Sequence, residues 1–167
     1  MSKDDGKRIE NYGDSYRFTA SSRVRRDGDV IWIPELYCHN GHSLMDTGVT
    51  FDGYPSVHIL VRTGDEVMGD VDFYLSSIVN DQRKQGPELP RGVPYAIACP
   101  TCGEEFKRLI PCTCQVGAYR RAIYLTPDPG ELAAVGICEC YDCPRSFVTE
   151  EGDLLYEVVV EQTKPRG

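Results

Sequence analysis

The chain has 167 residues, 41% of them apolar and 26% charged, and a formal charge of −8. It is long enough to bury a core of its own as one domain, which excludes a peptide that can fold only around a metal. No apolar run approaches a membrane span, and the opening MSKDDGKRIENYGD has no signal-peptide segment. The expected location is therefore the cytosol, where eight cysteines serve as ligands or nucleophiles rather than bridges.

The charge is uneven. Residues 1–28 hold seven Lys/Arg against five Asp/Glu, about +2, which leaves about −10 for the remainder. An acidic body argues against duplex DNA or RNA as the main partner, because phosphate binding depends on Lys and Arg. The one basic cluster, RVRR at Arg23–Arg26, reads as a solvated stretch before the first strand.

In chain order, residues 1–28 are rich in charge, Ser and Gly and read as a flexible arm, with residues 29–167 as a single β-rich domain. VIWIPELYC (Val30 to Cys38) reads as a short strand leading into the first metal-like motif. The clearest pattern follows in GYPSVHILVRTGDEVMGDVDFYLSS. Val57, Ile59 and Val61 alternate with His58, Leu60 and Arg62, and Val67, Val71, Phe73 and Leu75 alternate with Met68, Asp70, Asp72 and Tyr74. Period two with β-branched residues predicts two strands joined at TGDE. A loop of odd length, Gly64 to Glu66, puts Ile59 opposite Val71 and His58 opposite Asp72, so that one face is apolar. His58 is then an exposed cross-strand partner of an aspartate rather than a catalytic group.

Ile78 to Pro94 is polar, with Gly and three prolines, and reads as a surface loop. YAIAC re-enters as a strand. AYRRAIYLT and ELAAVGIC flank PDPG as a second hairpin centred near Asp128, and SFVTEEGDLLYEVVVEQ reads as a third, turning at Glu151–Gly152–Asp153. Nothing shows helical periodicity. The fold class expected is mainly β: antiparallel hairpins with zinc-ribbon-like knuckles and little helix.

The cysteines carry the chemistry. They are Cys38, Cys99, Cys102, Cys112, Cys114, Cys138, Cys140 and Cys143, with His42 after Cys38 in CHNGH. Zinc takes four thiolate or imidazole ligands at tetrahedral corners, and a C-x-x-C turn supplies two of them. In CPTCG, Pro100 pre-sets the turn and Gly103 can take the positive φ that follows the second ligand. The second hairpin returns the chain beside Cys114 towards Cys143, so Cys112 and Cys114 face CECYDC. Five sulfurs then compete for four corners, and Cys143 with either Cys138 or Cys140 completes the set. Cys38, His42, Cys99 and Cys102 remain for a second site. The other partition pairs Cys99 and Cys102 with Cys140 and Cys143. His39 reads as a hydrogen-bonding residue, and Glu104 and Glu105 as solvated.

The ordered set CHNGHSL, GYPSVHILVR, YLSSIVND, CPTCG, PCTC and a final Cys cluster, spanning Cys38 to Cys143, resembles small, uncharacterised bacterial and archaeal zinc-ribbon-type proteins. The resemblance implies ligand roles for Cys38, His42, Cys99, Cys102, Cys112, Cys114, Cys138 and Cys143. The chain departs from that pattern in its Cys112-x-Cys114 spacing and in the additional Cys140. The resemblance implies no activity.

Two Zn²⁺ ions are the expected cofactor. Iron is the alternative, because two C-x-x-C turns also build a rubredoxin-type Fe(S-Cys)₄ centre; His42 tilts one site towards zinc. A thiol enzyme requires an exposed low-pKa cysteine on a thioredoxin-like frame, and no such frame is visible. A deaminase requires His-x-Glu beside its zinc pair, which is absent. The expected role is a zinc-binding adaptor module presenting an acidic surface to a protein partner, with no catalytic residue. The competing role is a metal-dependent or thiol/redox enzyme, or an iron electron carrier.

Overall fold

The structure, a computed structural model, describes residues 9–11, 16–18, 23–79, 81–112, 114, 117–128, 133–140, 143, 146–150 and 153–158, with backbone alone at 9–11, 16–18, 146–150 and 153–158. Among these residues every regular element is a strand. They are β1 (Ile9–Asn11), β2 (Tyr16–Phe18), β3 (Arg25–Asp27), β4 (Val30–Trp32), β5 (Met45–Phe51), β6 (Tyr54–Arg62), β7 (Asp70–Ser76), β8 (Lys84–Gln85), β9 (Ala96–Ala98), β10 (Arg108–Pro111), β11 (Tyr119–Tyr124), β12 (Ala134–Cys138), β13 (Ser146–Glu150) and β14 (Asp153–Val158). Seven strands form one antiparallel sheet in the order β1-β2-β14-β13-β12-β11-β10. β3 and β4 form a hairpin, and a second sheet runs β5-β6-β7-β8 with β9 also on β6.

β6 organises the second sheet. β7 covers one of its edges from Ser56 to Arg62, while β5 and β9 share the other, β5 along Tyr54–Val57 and β9 along Leu60–Arg62. β5 went unread in the sequence, although its turn is a strong signal: Asp52 and Gly53 sit at φ 55° and 88°, the left-handed pair that an Asp-Gly hairpin turn requires.

The β6–β7 register differs from the expected one. Ile59 faces Phe73 and Val61 faces Val71, two residues further along than the alternation suggested. The cause is local. The Asp65 carboxylate accepts the N–H groups of Val67 and Met68 at 2.7 and 3.0 Å, and Gly69, at φ 64°, donates to the Asp65 carbonyl at 2.7 Å. This side-chain-capped turn removes residues 67–69 from the strand and leaves Val67 97% exposed. The slip is by an even number, so the inward face is unchanged: Val57, Ile59, Val61 and Phe73 are buried. His58 pairs with Tyr74 and stacks on it, centroids 4.5 Å apart, and reaches Asp72 diagonally at 2.8 Å.

The second and third hairpins form as expected, with Tyr124 facing Ala134 and Glu150 facing Asp153; the third hairpin's turn residues 151–152 lie outside the described residues. β12 pairs with β13, which fuses the two hairpins into one sheet. The arm expected at 1–28 contains strands where it is described: β2 pairs with β14, and Val24, 6% exposed, joins the core. The chain therefore enters its core before residue 29. Arg25 and Arg26 are exposed, on β3 rather than ahead of the first strand.

The core lies between the two sheets. Val57, Ile59, Val61, Phe73 and Ile97 meet Ile123, Leu125, Ala133 and Val135, with Leu36, Cys38 and Leu44 closing one end. Burial of each large aliphatic side chain contributes about 1.5–3 kcal/mol. Gly86 shows how closely the periphery fits. A Cβ there meets the Phe73 ring at 2.7–2.9 Å, closer than side chains tolerate. Gly86→Ala is expected to lower unfolding free energy by about 1–3 kcal/mol in urea titration. In a Phe73→Leu background the same change should cost clearly less, because the ring it strikes is gone.

Candidate metal centres

The first group is built by two turns. CHNGH follows the irregular 33–37 segment, which a backbone bridge between Tyr37 and Tyr124 ties to β11. CPTCG follows β9 directly. Inside each turn a backbone N–H points at the first sulfur, Asn40 at Cys38 and Thr101 at Cys99, both at 3.3 Å. Gly41 N donates to the Cys38 carbonyl at 2.9 Å and Gly103 N to the Cys99 carbonyl at 2.8 Å. Gly103 has φ 77°, the left-handed conformation expected after the second cysteine. Cys38, His42, Cys99 and Cys102 thereby bring their donor atoms within 4.8 Å of one another.

The second group comes from the β10–β11 connection and the end of β12. Cys112 N donates to the Ala118 carbonyl at 2.9 Å, closing the turn that carries Cys114. Arg120 faces Cys138 in the β11–β12 ladder, so the hairpin delivers Cys138 to that turn, and Cys143 follows. The donor atoms of Cys112, Cys114, Cys138 and Cys143 also lie within 4.8 Å of one another. The Cys112-x-Cys114 spacing, tighter than the usual pair, places both sulfurs in one group.

Zn–S and Zn–N bonds of about 2.3 and 2.0–2.1 Å require tetrahedral S···S and S···N edges of roughly 3.8 and 3.6 Å. The separations match closely: Cys38 to Cys102 4.0 Å, Cys38 to His42 Nδ1 3.4 Å, Cys112 to Cys143 3.7 Å and Cys114 to Cys138 3.5 Å. No disulfide joins any of the eight cysteines. Each group could hold one metal ion.

Cys140 was counted with the metal-binding cysteines, and the structure places it outside both groups. Its backbone bridges Pro94, its N–H points at Cys138 Sγ at 3.3 Å, and its side chain is buried beside Cys112 and Ala118. Cys138, not Cys140, fills the fourth corner of the second group. The partition joining Cys99 and Cys102 to Cys140 and Cys143 does not form.

Thiol acidities differ in ways the surroundings explain. Asn40 Nδ2, 3.5 Å from Cys102 Sγ, and the Glu104 backbone N–H draw the Cys102 thiol down to about 6. Burial pushes the Cys99 and Cys114 thiols up. The Cys143 neighbour and burial push Cys138 up as well. Crowded thiols resist joint ionisation because each new anion repels the last. A cation among them reverses that preference.

Sequence reasoning missed the polar bridge between the groups. Glu139, between Cys138 and Cys140, is buried and accepts from Arg121 Nε at 2.6 Å, Arg108 Nε at 3.2 Å and the Tyr119 N–H at 3.1 Å. Arg121 also donates to the Phe106 carbonyl at 2.8 Å and to Glu105 at 3.3 Å, and Glu105 pairs with Arg62, which donates to the Gly103 carbonyl. A chain of charges thus runs from one cysteine turn to the other. The signal was present: alternation puts Arg121 on the side of buried Ile123, and a buried cation requires an acid. Glu104 and Glu105 are exposed, as read, and each also has an ionic partner: Glu104 lies 2.9 Å from His39 Nε2 and Glu105 3.3 Å from Arg121.

No protein-family model, no curated protein and no solved structure matches this chain. What the structure supports is the pair of Cys/His groups, which lie within metal-binding distance. No helix among the described residues is long and apolar enough to cross a membrane.

Arg121→Met should destabilise the protein by about 3 kcal/mol or more in urea titration, since it strips the buried Glu139 carboxylate of its principal partner. The double variant Arg121→Met/Glu139→Leu is expected to recover most of that loss. Equal stability of the single variant and the parent would show the pair to be energetically idle.

Proposed function

We propose that this chain is a zinc protein with two closed structural sites, one held by Cys38, His42, Cys99 and Cys102 and the other by Cys112, Cys114, Cys138 and Cys143. The observation that carries the reading is the pair of complete four-donor sets at tetrahedral spacing. Catalytic zinc keeps a position for water or substrate, usually with three protein ligands, whereas four thiolate-rich donors fill the ion. The imidazole in the first set favours zinc over electron-transfer iron, which takes four thiolates. Each site fastens turns that apolar burial holds weakly, and binding is possible only once distant segments converge.

On this reading the zinc-loaded chain is a rigid adaptor, and its acidity, −8 before the net negative zinc–thiolate sites are added, suits a partner protein rich in Lys and Arg. The fifth thiol of the second cluster, Cys140, is 4% exposed. A thiol enzyme needs an accessible nucleophile, so its burial favours the adaptor over redox chemistry.

Elemental analysis of protein purified without added metal should find two zinc ions per chain. Cys102→Ser and Cys114→Ser should each lose one ion, with unfolding free energy falling by about 2 kcal/mol or more, whereas Cys140→Ser should keep both. Iron in the purified protein, or no metal, overturns the zinc reading. In the cobalt-substituted protein, d–d bands that shift on adding azide would reveal an open position and favour the enzyme. For the partner, an oligolysine peptide should bind in low salt and be released near 0.3 M, where the Debye length has fallen to about 5–6 Å. Absence of binding in low salt removes the acidic-surface part of the proposal.

A further inference from the structure

The space between the two sheets is a separate feature from the donor groups, although Cys138 and Cys143 of the second group line part of it. A cavity of about 190 Å³ lies there, walled by Val57, Ile59 and Phe73 from one sheet and by Ile123, Val135 and Ile137 from the other. Residues 76–79 and 81–84, with Cys138, Glu139, Cys140 and Cys143 at and beyond the end of β12, lie along the rest of its lining, and the half-exposed Arg83 marks the side that meets solvent. Protein interiors pack almost as densely as organic crystals, so a space of this size between packed sheets calls for an occupant. Two backbone bridges keep the sheets in place around it: Tyr37 to Tyr124 at one end of β11, and Pro94 to Cys140 beyond the far end of β12. The Tyr124 and Arg120 positions alone are four strand steps apart, about 13 Å.

The lining defines the occupant. An apolar cavity of about 150 Å³ stays dry and accepts one benzene. Polar groups around this one are already committed. Ser76 Oγ donates to Asp81 at 2.6 Å, and Ser77 Oγ donates to the Pro55 carbonyl at 2.6 Å. Asp81 takes Arg83 at 2.8 Å, and Glu139 takes Arg121, Arg108 and the Tyr119 N–H. His39 Nδ1, a buried nitrogen with no hydrogen bond among the described residues, does not line the cavity. A charged ligand entering the apolar interior loses its hydration, and Arg83 on the solvent side is already held by Asp52 and Asp81, whereas a neutral apolar ligand loses nothing of the kind.

We propose that this cavity is a binding site for a neutral, apolar small molecule of roughly eight to ten carbon atoms, a fused bicyclic or branched hydrocarbon skeleton scaled from the benzene case. The proposal goes beyond the zinc reading and does not depend on it. The test uses the full, metal-replete chain with ¹³C-labelled methyl groups, titrated with naphthalene as the probe and observed by NMR. Saturable shifts are expected at the methyls of Val57, Ile59, Ile123, Val135 and Ile137. 2-Naphthoate, the same skeleton with a charge, should bind at least about tenfold more weakly. Leu75→Phe and Val135→Phe each fill the space and should each abolish the saturable shifts while leaving metal content unchanged; Leu75, the less buried position, serves if Val135→Phe does not fold. The absence of saturable shifts in the parent, their persistence in a folded filled variant, or equal affinity for naphthoate would each overturn the site.

Discussion

Cysteine sulfurs, three in one group and four in the other, cannot all ionise within a few ångströms of one another unless something positive sits among them. Everything else in this fold is arranged around two places where that constraint applies. Donor atoms separated by up to 64 residues in the chain arrive at tetrahedral spacing, with backbone N–H groups already directed at Cys38, Cys99 and Cys138. Those N–H bonds stabilise thiolate before any ion arrives, and an ion then removes the remaining repulsion. Lacking that, burial raises the Cys99 and Cys114 thiols, and the Cys143 neighbour together with burial raises Cys138.

The sheets serve this arrangement as much as they are served by it. β9 ends at Ala98, so its pairing with β6 delivers Cys99 to its turn. The β11–β12 ladder delivers Cys138 in the same way. Between the two turns runs Arg62, Glu105, Arg121 and Glu139, of which the last two are fully desolvated. A buried ion pair rarely adds much to stability, but it tolerates little displacement of either partner. Here it ties β11 to the end of β12 within one sheet, and Arg121 reaches towards the other sheet through Glu105 and the Phe106 carbonyl, while the middle of the interface stays apolar.

Much of this was legible from local chemistry. Cys38, His42, Cys99 and Cys102 separate from the downstream cysteines because hairpin arithmetic about Asp128 carries Cys143 back to Cys114, a matter of counting residues. The inward faces of β6 and β7 follow from period two. Less legible was any feature set by competition between a side chain and the ladder. Asp65 captures two backbone N–H groups and shifts the β6–β7 register by two residues, although Val67 alternates faultlessly with its neighbours. Cys138 and Cys140 are equivalent in the motif, and only the backbone bridge from Cys140 to Pro94 separates them.

Composition, period-two patterning and cysteine spacing by themselves determined that this is an all-hairpin protein able to gather two sets of soft donors. Strand alternation, hairpin turns and the donors within each cysteine turn depend on neighbours within a dozen or so residues, whose geometry the chain's own stereochemistry dictates. Tertiary structure decided the pairing of Glu139 with Arg121, the exclusion of Cys140, the entry of Val24 into the core and the space between the sheets. Each is a balance of desolvation and packing among segments far apart in the chain, and such a balance exists only once the sheets have met.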